Sequence, residues 1–467
     1  MRKFRQVFLG DKLFYKTVLA IMIPVIIQNS VTNFVNLLDN IMVGQLGTEQ
    51  MSGVAIANQL IFVFSLCIFG GLSGPGIFGA QFYGAGNLEG LRNSFRIKIW
   101  FTTIITLLAI IILNIWQTPI IRLFLQGDGD PALAQHMLDY AKQYLMYMMP
   151  GFIPFALAMS YGTTFRETGE TMLPMKASIV AVLTNLLGNW LLIFGNLGFP
   201  ALGVRGAAVA TVISRFVELA ILMIAAHRAP RFSFFVKIYQ TLRVPVDLLA
   251  RVTKKGMPLL VNELLWSLGM AALTQAYSTR GLLVLSALNI SSTANNLFIV
   301  FFLGVGNAVA VLVGHSLGAG NIKKARSDVW KLFFLSFAIC VAVGMVLAGL
   351  SGVFPRLYNV ADEARSMAAA FILISAVLLP IHAVTHCSYF TLRSGGSTAM
   401  TFLFDSGFTW LLLIPVTQAL VHWTAMPIIS LFLVSQSMNF LKFIAGILLV
   451  YSGVWQKNIV SPHPVLD

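Results

Sequence analysis

Four acidic residues interrupt sequence that is otherwise apolar: Asp39, Glu218, Glu263 and Asp405. Arg215 and Lys442 do the same with positive charge, and His382 and His386 stand one helical turn apart. An ionisable side chain in lipid costs a few kcal/mol at a helix centre, so each is a candidate for function. Asp39 follows Asn29, Asn33 and Asn36, whose spacings of 4 and 3 put the three amides on one helical face. Pro24, upstream on the same stretch, frees a backbone carbonyl and kinks the helix. Asn185 and Asn189 form a second i, i+4 amide pair, and Thr211 adds a hydroxyl. A carboxylate among neutral oxygens suits Na⁺ or a proton.

The other charges admit two readings. Glu263, in Asn262-Glu263-Leu264-Leu265-Trp266-Ser267 one turn past Pro258, is a coupling or substrate-pathway candidate with Asn262. Asp405 and Lys442 are either part of that pathway or a buried ion pair joining two helices. Arg215 and Glu218, three residues apart, pair locally. His382 and His386 read as a proton relay or as two satisfied core histidines.

No enzymatic constellation competes with these. The sequence has no Walker A loop and no His-Glu-x-x-His. Gly314-His315-Ser316-Leu317-Gly318 fits Gly-x-Ser-x-Gly, but that motif needs a strand-turn-helix context, and here it closes an apolar span. Cys67, Cys340 and Cys387 lie inside apolar runs without metal-ligand spacing and read as small core residues. No organic cofactor is expected, only Na⁺ or H⁺ as a coupling ion.

The elements that hold these residues must be membrane helices. Of 467 residues, 57% are hydrophobic and 10% charged, against about 25% charged in a soluble domain. Stretches near 16–38, 52–77, 98–118, 139–161, 177–198, 206–226, 257–278, 283–311, 331–353, 367–390, 399–420 and 426–451 are each long enough to span a bilayer core, which needs about 20 apolar residues. Basic residues collect in 1–16 (Arg2, Lys3, Arg5, Lys12, Lys16), in 227–256 (with Arg228, Arg231, Lys237 and Arg243), and in 314–331. With twelve spans these segments share one side, which the positive-inside rule makes cytoplasmic, together with both termini. The N-terminal apolar stretch runs past any cleavage point and reads as an uncleaved first helix. The net charge of +14 is then a topology signal. No nucleic-acid partner is expected, because the charges sit in separate loops with no aromatic platform.

The chain also repeats itself. Gly84-Ala85-Gly86-Asn87-Leu88 recurs as Gly318-Ala319-Gly320-Asn321-Ile322, an offset of 234, at which Pro24 falls on Pro258, Gln28 on Asn262, Gly47 on Gly281 and Arg92 on Arg326. Arg166 to Thr171 matches Arg393 to Thr398 at an offset of 227. The expected organisation is all-α: a six-helix lobe over 1–226, a basic cytoplasmic linker over 227–256, and a second six-helix lobe over 257–467. Each half has an even number of spans. The halves are therefore related by an axis along the membrane normal, an arrangement that transporters use to place a site near the midplane.

These residues resemble the MATE (multidrug and toxic compound extrusion) family. The first span and its exit read Pro24, Gln28, Asn33, then Asp39-Asn40-Ile41-Met42-Val43-Gly44-Gln45-Leu46-Gly47. Gly79 to Asn87 is similar to the family's loop between helices two and three, and Arg166 to Thr171 to its loop after helix four. The resemblance covers nearly the whole chain. It implies a V-shaped pair of six-helix bundles in the bacterial inner membrane, acting as a Na⁺- or H⁺-coupled antiporter. It also implies export of cationic or amphipathic organic compounds, with the protein functioning as a monomer among lipids. The family's amino-lobe cation site maps onto Asp39, Asn185, Asn189 and Thr211; some members carry Asp where this chain has Asn189. Glu263 resembles the seventh-helix acid of one branch, whose tenth-helix acid falls near His382 here. Loading Asp39 is expected to bend the first helix at Pro24 and expel substrate outward. A lipid-linked oligosaccharide flippase, an intramembrane enzyme and a passive channel are the rival readings. The span count and Asp39 disfavour the first, the missing catalytic set the second, and the absence of a selectivity ring the third.

Overall fold

The computed structural model describes residues 7–125, 131–236, 238–358 and 360–461. Arg2, Lys3, Arg5 and Lys237, counted above among the basic flanks, lie outside the described residues. Among the described residues there is no strand. The main helices are α1 (Lys12–Gly44), α2 (Thr48–Gly84), α3 (Leu88–Phe124), α4 (Pro131–Met148 continued by Phe152–Glu167), α5 (Met172–Phe194) and α6 (Val204–Arg228). They continue with α7 (Val246–Ser278), α8 (Leu282–Gly318), α9 (Ile322–Leu350), α10 (Asp362–Ser394), α11 (Thr398–Trp423) and α12 (Ile428–Tyr451).

Eleven of the twelve are long and apolar enough in one piece to cross a membrane. The remaining one, α4, is broken by a 3-10 turn at Met149–Gly151, where Pro150 supplies no N–H and ends the first half. The helices outrun the apolar spans. At 37 residues α2, α3 and α8 are about 55 Å long, well over a hydrocarbon core of about 30 Å. Their ends therefore project from it. The hardest division in the sequence, between 257 and 311, resolves as a tight turn at Thr279–Gly281.

The repeat has a backbone meaning. Gly86 and Gly320 take φ of 71° and 73°, Gly169 and Gly396 take 85° and 70°, and Gly47 and Gly281 take 135° and 130°. The first four close helices. Asn87 N–H donates to Phe82 O (2.9 Å) and Gly86 N–H to Tyr83 O (3.0 Å); Asn321 and Gly320 repeat this on Ser316 O and Leu317 O (2.8 and 3.0 Å). Glu170 with Gly169, and Ser397 with Gly396, do the same after α4 and α10. These are Schellman caps, whose left-handed residue favours glycine because it lacks a Cβ. The repeated glycine motifs are thus stop signals at matching helix ends. Gly314 to Gly318 is likewise the last turn of α8 and not a nucleophile elbow.

By packing, the chain forms two compact units whose borders differ from those of the repeat. A carboxy unit takes residues from Thr253 onward together with residues up to Ile26 and Ala80–Asn87; an amino unit takes Ile27–Gly79 and Leu88–Val252. In the carboxy unit the end of α2 meets the end of α8 reciprocally. A Cβ on Gly84 would clash with the backbone of His315, one on Gly318 with the backbone of Gln81, and one on Gly314 would lie 2.9 Å from Ala80 Cβ. At the offset of 234, Gly84 pairs with Gly318, Gln81 with His315 and Ala80 with Gly314. A contact in which i meets j′ and j meets i′ is the mark of a local two-fold axis, and it passes between Ala80 and Gly314. The fully buried Gln81 amide donates to Ser394 O (2.9 Å) and Lys457 O (3.2 Å) and accepts from Ile459 N–H (2.9 Å), tying the segment after α12 to this junction.

The segment expected to be a basic linker begins after Arg228 and gives way to helix at Val246. Within the amino unit it lies along α3. Arg92 donates to Phe234 O and Ser233 O (3.2 Å each), Arg96 to Ile238 O (3.3 Å), and Trp100 Nε1 to Leu242 O (3.1 Å). Phe232, Phe234, Phe235 and Ile238 are buried. Four apolar anchors and four side-chain bonds make this segment a packed part of the unit.

Candidate functional site

The amino unit brings Asp39, Asn185, Asn189 and Thr211 together from α1, α5 and α6. Asn189 Nδ2 donates to Asp39 Oδ1 at 2.6 Å. The Asn185 amide stands between Asp39 and Thr211, and one setting of its two ends satisfies both. With its NH₂ toward the acid it donates to both Asp39 oxygens at 3.0 Å and accepts from Thr211 Oγ1 at 3.0 Å. Reversed, it lays its oxygen against the same two carboxylate oxygens and donates to Thr211. Asn189 Oδ1 is buried and accepts no hydrogen bond. Tyr144, on α4, lies beside Thr211. The nearest base, Arg215, is engaged by Glu218 (3.4 Å) and by the ring of Phe155 (4.9 Å), the local pairing expected from their spacing.

One oxygen of this cluster, Asn189 Oδ1, has no donor. A buried acceptor left unmatched is costly, and the set of one carboxylate, amide oxygens and a hydroxyl is a hard-oxygen set of the kind alkali cations and protons use. The other first-helix residues stand apart from it. Gln28 Oε1 accepts from Arg166 at 3.4 Å, while Asn33 and Asn36 are exposed. Pro24 lies inside α1, buried, in the segment assigned to the carboxy unit.

The carboxy unit carries a second cluster, on α7, α10, α11 and α12. Lys442 Nζ meets Asp405 Oδ1 at 2.6 Å, so the two residues are a salt bridge across two helices. Asn262 Nδ2 donates to Asp405 Oδ2 (2.9 Å), and Asn262 Oδ1 accepts from the Ser406 hydroxyl (2.7 Å) and amide (3.2 Å). Glu263 Oε1 accepts from the Tyr389 hydroxyl at 2.9 Å, with Arg393 Nη1 at 4.0 Å. His386 packs among the rings of Phe302, Tyr389 and Phe390 at 5.9, 6.0 and 5.2 Å, and His382 feels the charge of Lys442. Asp405 and Ser406 sit in a π-helical stretch, Leu403–Gly407. Such wide turns recur at functional sites, where they re-aim side chains.

One buried charged pair was not legible from the chain. Lys98, 0% exposed in α3, places Nζ 2.6 and 2.7 Å from the two Glu167 oxygens, 2.7 Å from Thr164 Oγ1 and 3.2 Å from Thr163 Oγ1. Lys98 opens an apolar run, and Glu167 sits inside a repeated motif that reads as a loop. The available signal was Gly76 and Gly79 on α2: a Cβ at Gly76 would come within 2.8 Å of Glu167 Oε1, and one at Gly79 would clash with Oε2.

Comparison with known proteins agrees with this architecture. The model of the family described as MatE matches twice, over residues 24–191 and 258–418, and the two matches begin at the repeated prolines. Relatives include the probable multidrug resistance protein NorM of Thermotoga maritima, 24% identical over 95% of this chain and 94% of that protein. The multidrug resistance protein MdtK of Yersinia pseudotuberculosis is also 24% identical, over 86% of each. Among solved structures, the MATE transporter VcmN of Vibrio cholerae, determined as a point mutant, superposes with a TM-score of 0.84 at 18% identity, covering 96% of this chain and 98% of that one. A MOP superfamily transporter from Pyrococcus furiosus gives 0.83 at 20%, covering 96% and 97%. With a family model matching both halves and the twelve-helix fold shared nearly end to end, this chain belongs to the MatE family of multi-pass membrane transporters.

Proposed function

We propose that the protein is an antiporter that exports organic compounds, cationic or amphipathic, from the cytoplasm in exchange for Na⁺ or H⁺ across the cytoplasmic membrane. It has no enzymatic step and needs no organic cofactor, and it works as a monomer in contact with lipid. The observation that carries this reading is the Asp39 site: a carboxylate with neutral amide partners, beside a buried Asn189 oxygen that accepts no hydrogen bond. A cation held by Asp39, Asn185, Asn189 and Thr211 would answer that unmatched oxygen, and would set the Asn185 amide with its oxygen inward. The multidrug names of the relatives support the substrate class. The basic segments support a cytoplasmic placement of both termini. Coupling then follows if cation and substrate favour opposite members of a two-state equilibrium, since each ligand shifts it only by its differential affinity.

The test is efflux from proteoliposomes under imposed Na⁺ or pH gradients, with a panel of organic cations, comparing the wild type with Asp39→Asn. The wild type should accumulate substrate against one of the two gradients, and the variant should lose at least about tenfold of that accumulation, as expected when about 1.4 kcal/mol or more of coupling is removed. Undiminished gradient-driven transport by Asp39→Asn would refute the assignment.

A further inference from the structure

The partners of the two acids sit on corresponding helices: Asp39 with Asn185, Asn189 and Thr211 on α1, α5 and α6, and Asp405 with Asn262 and Lys442 on α11, α7 and α12. The two clusters differ in how their charge is balanced. At Asp39 the hydrogen-bonding partners are amides, and the neighbouring base is already engaged by Glu218 and Phe155. At Asp405 the balance is internal. Oδ1 meets the Lys442 ammonium at 2.6 Å, Oδ2 accepts from Asn262 at 2.9 Å, and Asn262 spends its own oxygen on Ser406. The Lys442 ammonium also faces the rings of Phe404 and Phe408 at 5.5 and 5.7 Å, a setting that favours an organic cation. The second acid, Glu263, has the Tyr389 hydroxyl on Oε1 and Arg393 beside it. Two acids and two bases cancel in this cluster, and the oxygens of Asp405 and Asn262 are already occupied by donors.

We propose that Lys442 is a tethered counter-cation. Its ammonium takes, beside Asp405, the place that a mobile coupling cation would otherwise fill in the carboxy unit, so each exchange cycle carries one coupling cation, at Asp39. This rests on the antiport reading above and adds a stoichiometry to it. The geometry favours the covalent cation on simple grounds. A lysine on α12 is present at unit occupancy and loses no translational freedom on binding, whereas a dissolved ion must be desolvated and ordered at every turnover. Replacing the ammonium with an apolar side chain would leave Asp405 buried and uncompensated, and a second cation would then be drawn in.

The experiment is a zero-flux measurement on the full-length protein in liposomes, with ethidium as the organic cation, membrane potential clamped at zero, and a tenfold gradient of whichever of Na⁺ or H⁺ drives transport. For one cation per ethidium the substrate ratio balances at about tenfold, and for two at about a hundredfold, since each coupled ion contributes one factor of the gradient. The wild type and Lys442→Arg should balance at about tenfold and Lys442→Met at about a hundredfold. The double variant Lys442→Met with Asp405→Asn, which removes both charges and so guards against simple misfolding of the single variant, should return to about tenfold. A hundredfold balance in the wild type, or equal ratios in the wild type and Lys442→Met, overturns the proposal. Failure of both gradients to drive ethidium would instead refute the antiport reading on which it rests.

Discussion

Replacing Lys98 with methionine, which keeps the length of the side chain and removes the charge, tests the most deeply buried ion pair in the amino unit. Lys98 is 0% exposed and the Glu167 side chain 13% exposed, and Nζ contacts both carboxylate oxygens. At 2.6 Å and an effective dielectric constant of about 20, the Coulomb attraction is on the order of 6 kcal/mol. Most of that offsets the desolvation of the two ions, so the pair itself contributes little net stability. Breaking it is another matter. Lys98→Met strands a carboxylate against Gly76 and Gly79, with water largely excluded, and the expected cost is about 3–5 kcal/mol. Glu167→Gln strands the ammonium. It should cost less, because Thr163, Thr164 and the new amide oxygen still accept from it. The double variant removes both charges. The two threonines keep their own bonds to Ser160 O at 3.2 and 2.9 Å, so the pair should return to within about 1 kcal/mol of the wild type. The assay is SDS-driven unfolding in mixed micelles followed by tryptophan fluorescence, analysed as a double-mutant cycle. A Lys98→Met cost below about 1 kcal/mol, or additive costs in the double variant, would refute the reasoning.

Other outcomes follow from the same geometry. Gly318→Ala and Gly84→Ala each force a Cβ into the backbone of the facing helix end, at Gln81 and His315; each should cost about 1–3 kcal/mol in the same unfolding assay. Gly349→Ala, a helix position with nothing within 4 Å, should be neutral or slightly stabilising. Arg96→Ala removes the bond to Ile238 O and the contact with Asn93; limited proteolysis should then cut within 230–244 several times faster than in the wild type, and an unchanged rate would mean that the aromatic anchors alone hold the segment.

Much of this protein is determined by its sequence alone. Twelve helices, their apolar spans and the duplication are local properties, because periodicity, composition and turn chemistry act over a few residues. The glycines at 86, 169, 320 and 396 show this most directly: each marks a helix stop that the backbone then makes with a left-handed residue. Charges in the middle of an apolar run, such as Asp39, Glu263, Asp405 and Lys442, are equally plain in the sequence, whereas Lys98 and Glu167, at the borders of their runs, are not. What tertiary structure alone decided is which charges are answered and by what. Asp39 finds an amide 150 residues away and Asp405 a lysine 37 residues away. Both are acids in apolar helices, and nothing local distinguishes them. Lys98, ten residues into α3, and Glu167, at the end of α4, become a buried pair where α2 brings two glycines against them. The basic stretch after α6, read from charge as a cytoplasmic linker, is held by arginines of α3 that the chain places 142 residues earlier. The reason is the same throughout. Hydrogen bonding within a helix is settled by neighbours in sequence, whereas a charge in a medium without water is settled by whichever distant helix packs against it.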